Sequence, residues 1–248
     1  MTGAPASSAA ERRVAWITGA GSGMGRAAAL ALAPDRRLAL SGRRPEMLAE
    51  TARDVAAAGG EAIVLPFDTG DAGAVSAARD EIRGRWGRID DLVLAAGLNS
   101  PRRTWGTQSV GEVEQVIDTN LLGVIHVIDA ALPALRSSGS ACVVVVSSFA
   151  AWRFSPVAGV AYSASKRALA SVCETLNAQE AAAGIRVCHL CPGDVDTEFL
   201  RLRPEVPDAE ARERMLTPDD IGRTVRFVVD APPHVRIDEL VISPVVRP

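Results

Sequence analysis

The stretch VAWITGAGSGMG, residues 14–25, decides the fold class of this chain. An apolar run at 14–17 leads into four alternating glycines, and an Ala-rich helical pattern follows at 24–33. A glycine turn between a strand and a helix lets backbone N–H groups approach a pyrophosphate, and the helix N-terminus adds partial positive charge. Met24 takes the place of the third glycine of the strict G-x-G-x-x-G fingerprint, and no Walker lysine follows. The stretch predicts a dinucleotide-binding turn; a tight turn that binds nothing is the alternative.

The rest of the chain repeats this alternation of short apolar runs and helical patterns. Further strands are predicted at 38–40, 62–65, 92–94, 142–146, 187–190 and 240–242. Helices are predicted at 24–33, 45–58, 71–84, 107–133 and 161–183, with one more after the excursion 198–217. This rhythm is typical of an α/β fold, a doubly wound parallel sheet of seven strands of Rossmann type. Ligands of such sheets bind beyond the carboxyl ends of the strands, and the charged, proline-rich excursion is where a substrate lid is expected.

Length and charge favour one soluble domain that acts on a small molecule. The 248 residues fit a single domain over 13–248, preceded by a flexible lead-in at 1–12. A formal net charge of -3 disfavours nucleic acid or an anionic membrane as partner. No signal-peptide pattern and no apolar stretch of about 18 residues is present, so we expect a cytoplasmic protein.

The four cysteines predict no metal site. Cys188 and Cys191 form one C-x-x-C pair, but a zinc site needs a second Cys or His pair. The pair also lies in a predicted strand, so buried reduced thiols are expected, with redox or metal chemistry as the alternative.

The end of the second predicted strand, Ser41-Gly42-Arg43-Arg44, bears on the cofactor. An acidic side chain there binds the 2'-hydroxyl of NAD, whereas arginine accommodates the 2'-phosphate of NADP. No carboxylate is present, and Arg43 with Arg44 in support offers guanidinium donors to a phosphate. The sequence predicts NADP, with NAD as the alternative; arginines merely solvated at a helix start are the other interpretation.

A Tyr-x-x-x-Lys spacing predicts acid–base chemistry. Tyr162 and Lys166 share one face of the predicted helix 161–183, so the ammonium is expected to lower the pKa of the phenol. A phenol with its ordinary pKa near 10 exchanges protons poorly at neutral pH. Alone, the pair would be a chance helical pair. Here it lies fourteen residues after Ser148, which follows a predicted strand, and downstream of the glycine turn.

Taken together, T-G-x-x-x-G-x-G at 18–25, the strand-end serine and Y-x-x-x-K resemble the short-chain dehydrogenase/reductase family in its single-domain, NADP-preferring form. The resemblance covers residues 13–245. It implies that Tyr162 is the acid/base, that Lys166 tunes it and holds the nicotinamide ribose, and that Ser148, rather than Ser147, donates to the substrate oxygen. It also implies that Asn120 holds a water leading from Lys166 to solvent, with an inert mid-helix asparagine as the alternative.

The resemblance further implies a set of cofactor contacts. Val195 would bind the nicotinamide carboxamide through its backbone, Thr197 through its hydroxyl, and Asp68 would contact adenine unless it caps a helix. The full set comprises Gly19, Ser22, Gly23, Met24, Gly25, Arg43, Arg44, Asp68, Ala96, Gly97, Tyr162, Lys166, Pro192, Gly193, Val195 and Thr197. One departure stands out: the family commonly has Asn-Asn-Ala-Gly after its fourth strand, whereas this chain has Leu94-Ala95-Ala96-Gly97.

These features predict reversible hydride transfer between NADP(H) and a carbonyl or secondary alcohol, without a metal. The alternatives are an NAD-linked alcohol dehydrogenase and a catalytically silent nucleotide-binding protein of the same fold. The substrate pocket is expected to include Ala150, Trp152, Phe154, Gly193 and parts of 198–217, with Arg201 and Arg203 nearby. A homo-oligomer, dimer or tetramer, is expected through apolar helix faces at 107–133 and 161–183.

Overall fold

The computed structural model describes residues 12–246, so nearly all of the predicted lead-in at 1–12 lies outside the described residues. The strands are β1 Arg13–Thr18, β2 Arg36–Gly42, β3 Glu61–Pro66, β4 Asp91–Leu94, β5 Cys142–Val146, β6 Arg186–Pro192 and β7 Glu239–Ile242. The helices are α1 Gly23–Leu32, α2 Pro45–Ala57, α3 Ala72–Trp86, α4 Val110–Ile117, α5 Gly123–Ser138, α6 Phe149–Trp152, α7 Val160–Glu180, α8 Ala209–Glu213 and α9 Pro218–Val229.

The strands form one seven-stranded parallel sheet in the order β3-β2-β1-β4-β5-β6-β7. The predicted fold class and all seven strands are thereby confirmed. The chain winds outward from β1 to β3 and then returns to the other side of β1 at β4. Ligands of doubly wound sheets bind where the strand order reverses, so the carboxyl ends of β1 and β4 mark the candidate site.

Apolar cores cover both faces of the sheet. In β1, Val14 and Trp16 pack into the core on one face, whereas Ala15 and Ile17 pack into the core on the other. Successive side chains of a strand point to opposite faces, so a strand buried on both sides must be apolar throughout. This explains why the strands appear in the sequence as continuous apolar runs.

One predicted helix differs from the structure at both ends. The pattern at 107–133 corresponds to α4, a π-helical turn at Asp118–Leu122 and α5. The helix begins at Val110 because Ser109 and Glu112 form a capping box, and it continues through Pro133 to the left-handed Gly139. The run Val110–Ser138 is long and apolar enough to cross a membrane by length and composition. Its α5 part nevertheless supplies the core on one face of the sheet, through Val124, Val127, Ile128, Ala131 and Leu135 among others.

A network of ion pairs closes the amino-terminal edge of the sheet. The fully buried Asp91 accepts hydrogen bonds from Arg13 Nη2 at 2.7 Å and from Arg36 Nε at 3.2 Å. Its neighbour Asp90, also buried, pairs with Arg88 and accepts from the Val14 amide at 2.8 Å. Buried carboxylates are tolerated only when paired and hydrogen-bonded, and both are.

We expect Asp91→Asn to lower the free energy of unfolding by about 3 kcal/mol, because two guanidinium groups would lose their shared carboxylate in a buried setting. Urea unfolding followed by circular dichroism measures the change. The matched control is Asp80→Asn, which removes an exposed ion pair with Arg79 and should leave the urea midpoint nearly unchanged. Equal effects of the two substitutions would contradict a structural role for the network.

Candidate active site

The turn after β1 is compact because backbone approaches backbone. Gly19 has a φ of 66°, and a Cβ added to it would lie 2.7 Å from the carbonyl oxygen of Ala95 in the loop after β4. A Cβ on Gly25 would overlap the carbonyl oxygen of Gly19. The Ser22 side chain precedes α1 without capping it. The first N–H groups of α1 therefore lie beside the reversal point of the sheet, as a pyrophosphate site requires.

The two predicted arginines lie beside this turn but have different partners. Arg44 Nη2 donates to Ser22 Oγ at 3.0 Å, and its Nη1 lies 3.4 Å from Glu198 Oε2 across the cleft. Arg43 Nη1 lies 3.8 Å from Asp68 Oδ2. Asp68 does not cap α3, because Asp71 does so by accepting from the Ala74 amide. Arg44 thus contacts the glycine turn directly, while Arg43 and Asp68 pair with each other beside it.

The segment after β6 closes the opposite side of the cleft. Pro192 ends β6, and the Gly193 amide donates to Ile242 O at 2.7 Å. Val195 is buried and forms an isolated β-bridge with Leu216. The Thr197 methyl lies 3.2 Å from the position that a Cβ on Gly23 would occupy. The structure therefore brings the predicted nicotinamide segment against the predicted phosphate turn.

The candidate catalytic side chains follow β5. Ser148 caps α6, its Oγ accepting from the Ala150 amide at 3.2 Å. Ser147 points the other way and donates to Lys166 O at 3.1 Å, so it anchors α7. Lys166 Nζ donates to Val146 O at 3.0 Å and lies 5.9 Å from the Tyr162 ring centroid. Ser148, Tyr162 and Lys166 thus come together at the carboxyl edge, and they include the only tyrosine and the only lysine of the chain.

Burial controls the acid–base properties of this pair. It raises the pKa of Tyr162 above its ordinary value of 10.0, against the opposing effects of hydrogen bonding by Ser148 and of the positive charges of Arg103 and Arg203. Burial also lowers the pKa of Lys166 to about 8. The lowering of the Tyr162 pKa that we expected from Lys166 is not found in the structure: burial raises this pKa, and the charges that oppose burial are those of Arg103 and Arg203.

Asn120 braces the loop after β4. Within the π-helical turn it is fully buried; its Oδ1 accepts from the Leu98 amide at 2.7 Å. Its Nδ2 donates to Leu98 O at 2.9 Å and to Ser165 Oγ at 3.1 Å. The Ala96 amide donates to Thr18 Oγ1 at 3.3 Å. Thr18 and Asn120 thus hold this loop, although the two asparagines that are common here in the family that the sequence resembles are absent.

Gly97 lies between the brace and the lysine. A Cβ there would lie 3.5 Å from Asn120 Oδ1 and 3.7 Å from Lys166 Nζ. The partly buried Met24 packs its side chain against the core on one face of the sheet. The remaining predicted cofactor positions, Ala96 and Gly97 among them, would act through backbone atoms.

Arg103 is a site residue that the sequence motifs did not indicate. Its guanidinium donates to three carbonyls: Ser100 O at 2.8 Å, Val157 O at 3.0 Å and Leu202 O at 2.6 Å. One side chain therefore ties together three segments around the mouth of the cleft. No local pattern marks it, because its partners lie up to 99 residues away in the chain.

The residues predicted for the pocket wall lie in different environments. The excursion 198–217 contains a 3₁₀ turn at Glu198–Leu202, in which the Phe199 ring lies 6.1 Å from the Tyr162 ring. Arg203 pairs with Asp194, whereas Arg201 is exposed. Phe154 is exposed, and Trp152 packs edge-on against Phe149 with Arg153 above its ring. The wall beside Tyr162 is thus formed by Phe199, a residue that sequence reasoning placed only within the excursion.

Comparison with known proteins agrees with this geometry. The family model described as short chain dehydrogenase matches residues 13–206. An uncharacterized oxidoreductase of Listeria monocytogenes is 31% identical over 249 residues, covering 96% of this chain and 98% of the relative.

Solved structures share the whole fold. An alcohol dehydrogenase from the archaeon Thermococcus sibiricus, complexed with 5-hydroxy-NADP, superposes with a TM-score of 0.86 at 33% identity, covering 96% of this chain and 99% of that one. A short chain dehydrogenase from Mycobacterium paratuberculosis bound to NAD gives a TM-score of 0.81 at 26% identity, with coverages of 93% and 96%. With its seven-stranded parallel sheet and glycine turn, the chain belongs to the short-chain dehydrogenase/reductase family and is an oxidoreductase with an NAD(P)-binding Rossmann fold.

Proposed function

We propose that this protein catalyses reversible hydride transfer between NADP(H) and a carbonyl or secondary alcohol, with Tyr162 as the acid/base. The observation that carries the proposal is the meeting of Ser148, Tyr162 and Lys166 at the sheet edge that also holds the glycine turn. A catalytically silent protein would have no use for a buried lysine of α7 whose ammonium donates to the last residue of β5.

A nicotinamide dinucleotide would lie along the cleft. The glycine turn and the start of α1 would hold the pyrophosphate, Lys166 the ribose, and Val195 with Thr197 the carboxamide. When bound, the cofactor supplies or accepts the hydride at its nicotinamide ring.

Ser148, Tyr162 and Asn120 would have separate roles in substrate binding and proton transfer. Ser148 would donate to the substrate oxygen and fix its position. The raised pKa keeps Tyr162 protonated at neutral pH, so in reduction its hydroxyl donates the proton to the carbonyl oxygen. Asn120 would act through the loop it braces, by holding Gly97 beside Lys166.

Arg43 and Arg44 support NADP over NAD. No carboxylate ends β2, and Arg44 already contacts Ser22 of the glycine turn, where a 2'-phosphate would lie. Among the similar structures, one carries a form of NADP and another carries NAD, so the choice depends on this chain's own residues. Asp68, which pairs with Arg43, could instead contact the adenine.

We also propose a cytoplasmic homo-oligomer. All four cysteines are buried free thiols, which suits a reducing compartment. Ile128 of α5 and Val172 and Leu176 of α7 line a shallow groove between the two helices, and a second copy of the chain could cover it.

Tyr162→Phe should reduce carbonyl reduction with NADPH by at least ~100-fold, because the proton donor is lost while the ring remains. The dissociation constant for NADPH, measured by quenching of tryptophan fluorescence, should stay within about twofold of the wild type. Since Tyr162 is the only tyrosine, its phenolate absorbance titrates it alone, and the wild type should show a pKa above 10. Unchanged turnover in Tyr162→Phe would overturn the mechanism.

Replacing Arg43 and Arg44 together by alanine should raise KM for NADPH at least tenfold, about 1.4 kcal/mol, while KM for NADH changes little. Two guanidinium donors to the 2'-phosphate are lost, and NADH has no such phosphate. Arg53→Ala is the control, because Arg53 is an exposed arginine of α2 paired only with Glu50 on its own helix. An equal loss of affinity for both cofactors would argue against the NADP assignment.

Lys166→Met should make the protein more stable at pH 7, by up to about 3 kcal/mol. The folded-state pKa of about 8 lies below the ordinary 10.5, so the buried ammonium costs stability below pH 8, and the cost fades as pH rises from 8 to 10.5. Urea unfolding of the wild type and of Lys166→Met across this pH range measures how the difference between their free energies of unfolding decreases. Nitrogen NMR of the only lysine gives the pKa directly. A value near 10.5 would contradict the burial argument.

A further inference from the structure

Outside the cleft, three side chains of different chemistry converge between β6 and β7. His189 Nδ1 lies 3.2 Å from Glu239 Oε2 and 3.5 Å from Cys191 Sγ. All three potential donor atoms lie within 4.8 Å of one another. Imidazole, thiolate and carboxylate are the three ligand types that bind Zn²⁺ in proteins.

Strand geometry explains this convergence. His189 and Cys191 are two residues apart on β6 and so point to the same face, while Glu239 is the register partner of His189 on β7. Cys188 points to the other face, where it packs in the core with Leu190 and Val144. The C-x-x-C spacing in the sequence therefore places its two thiols on opposite faces, whereas the less conspicuous His-x-Cys places its two side chains on the same face.

Two of the three separations between donor atoms are close to those of a tetrahedral zinc site. Ligand atoms at ~2.0 to 2.3 Å from a tetrahedral metal are separated from one another by about 3.3 to 3.6 Å. The separations of 3.2 and 3.5 Å around His189 Nδ1 lie close to this range. Small rotations of the ring and of the Glu239 carboxylate would complete the geometry.

The cluster can be reached from solvent. A cavity of about 340 Å³ opens against it and is lined by His189 and Glu239 together with Cys173 and Asp238. His189 and Cys191 are buried, while 44% of the Glu239 side chain is exposed. A metal could enter on the Glu239 side, and a water in the cavity could fill the fourth position.

We propose that His189, Cys191 and Glu239 bind a borderline-soft divalent cation of the Zn²⁺ class. On binding, the Cys191 thiol releases its proton to solvent, and the sulfur donates an electron pair to the metal. The prediction of no metal site considered only the cysteine spacing, and it could not account for a partner strand that lies 48 residues further along the chain.

The site lies directly behind the catalytic serine. The Ser147 amide donates to Leu190 O at 2.7 Å, so Ser148 and Cys191, the next residue on each segment, are neighbours. A metal on the Cys191 sulfur would place positive charge beside Ser148 and would repel the Lys166 ammonium, which interacts electrostatically with that sulfur. Metal binding should therefore lower carbonyl reduction reversibly; this consequence rests on the proposed function, whereas metal binding does not.

Binding is tested on the purified full-length protein with Co²⁺ as a spectroscopic probe and with Zn²⁺ in competition with a coloured chelator. The wild type should bind one equivalent and show a thiolate-to-cobalt charge-transfer band. Cys191→Ser should abolish the band, and His189→Gln and Glu239→Gln should each weaken zinc affinity at least ~10-fold. His189 and Cys191 are buried, so their variants could misfold. Glu239 is half-exposed, so Glu239→Gln tests the site even if the other two variants do not fold.

Cys173→Ser is the matched control, since Cys173 is a buried thiol that lines the same cavity without belonging to the cluster. It should leave the band and the affinity unchanged. Absence of the band in the wild type, or its loss in Cys173→Ser but not in Cys191→Ser, would overturn the site.

Activity is a separate readout. Zn²⁺ should inhibit NADPH-dependent reduction in the wild type, a chelator should restore it, and Glu239→Gln should be at least ~10-fold less sensitive. Stoichiometric binding with unchanged turnover would overturn the coupling to Ser148 and leave the metal site standing. Metal binding by a protein that reduces no carbonyl would instead count against the proposed function.

Discussion

The close approach of Gly19 to both Gly25 and the Ala95 carbonyl determines how the turn after β1, the start of α1 and the loop after β4 pack at the carboxyl edge of the sheet. With no side chain between them, the turn after β1, the start of α1 and the loop after β4 lie against one another. The first N–H groups of α1 then face the reversal point of the sheet. Thr197 approaches the same turn from the other side, so the two walls of the cofactor cleft are held at a separation that this backbone contact determines.

The fold and much of the site could be predicted because their signals are local. Apolar runs marked each strand, the glycine spacing marked the turn, and Tyr162 with Lys166 lie one helical turn apart. Arg103 and the His189 cluster could not be predicted, because their partners lie on other segments. The predicted direction of the Tyr162 pKa shift was wrong for a related reason: burial raises this pKa, and burial is a tertiary feature that helical spacing does not indicate.

The two edges of the sheet differ in how their buried charges are paired. At the amino-terminal edge, the buried charges Asp90 and Asp91 are fully paired with arginines and hold strands together. At the carboxyl edge, the buried Lys166 ammonium donates to the Val146 carbonyl, and burial lowers its pKa to about 8 at a cost in stability. The hydrogen bonds from Asn120 to Leu98 and Ser165 hold the loop after β4, which lacks the two asparagines.

Arg103 has a consequence for how new substrate preferences can arise. Three chain segments at the mouth of the cleft each bind the Arg103 guanidinium through one carbonyl. A backbone change in one segment therefore moves the guanidinium to which the other two are bound. Neighbouring changes of this kind are not additive. Directed evolution of this pocket would therefore progress through combinations drawn from all three segments, and libraries that randomise one segment at a time would miss most of the productive variants.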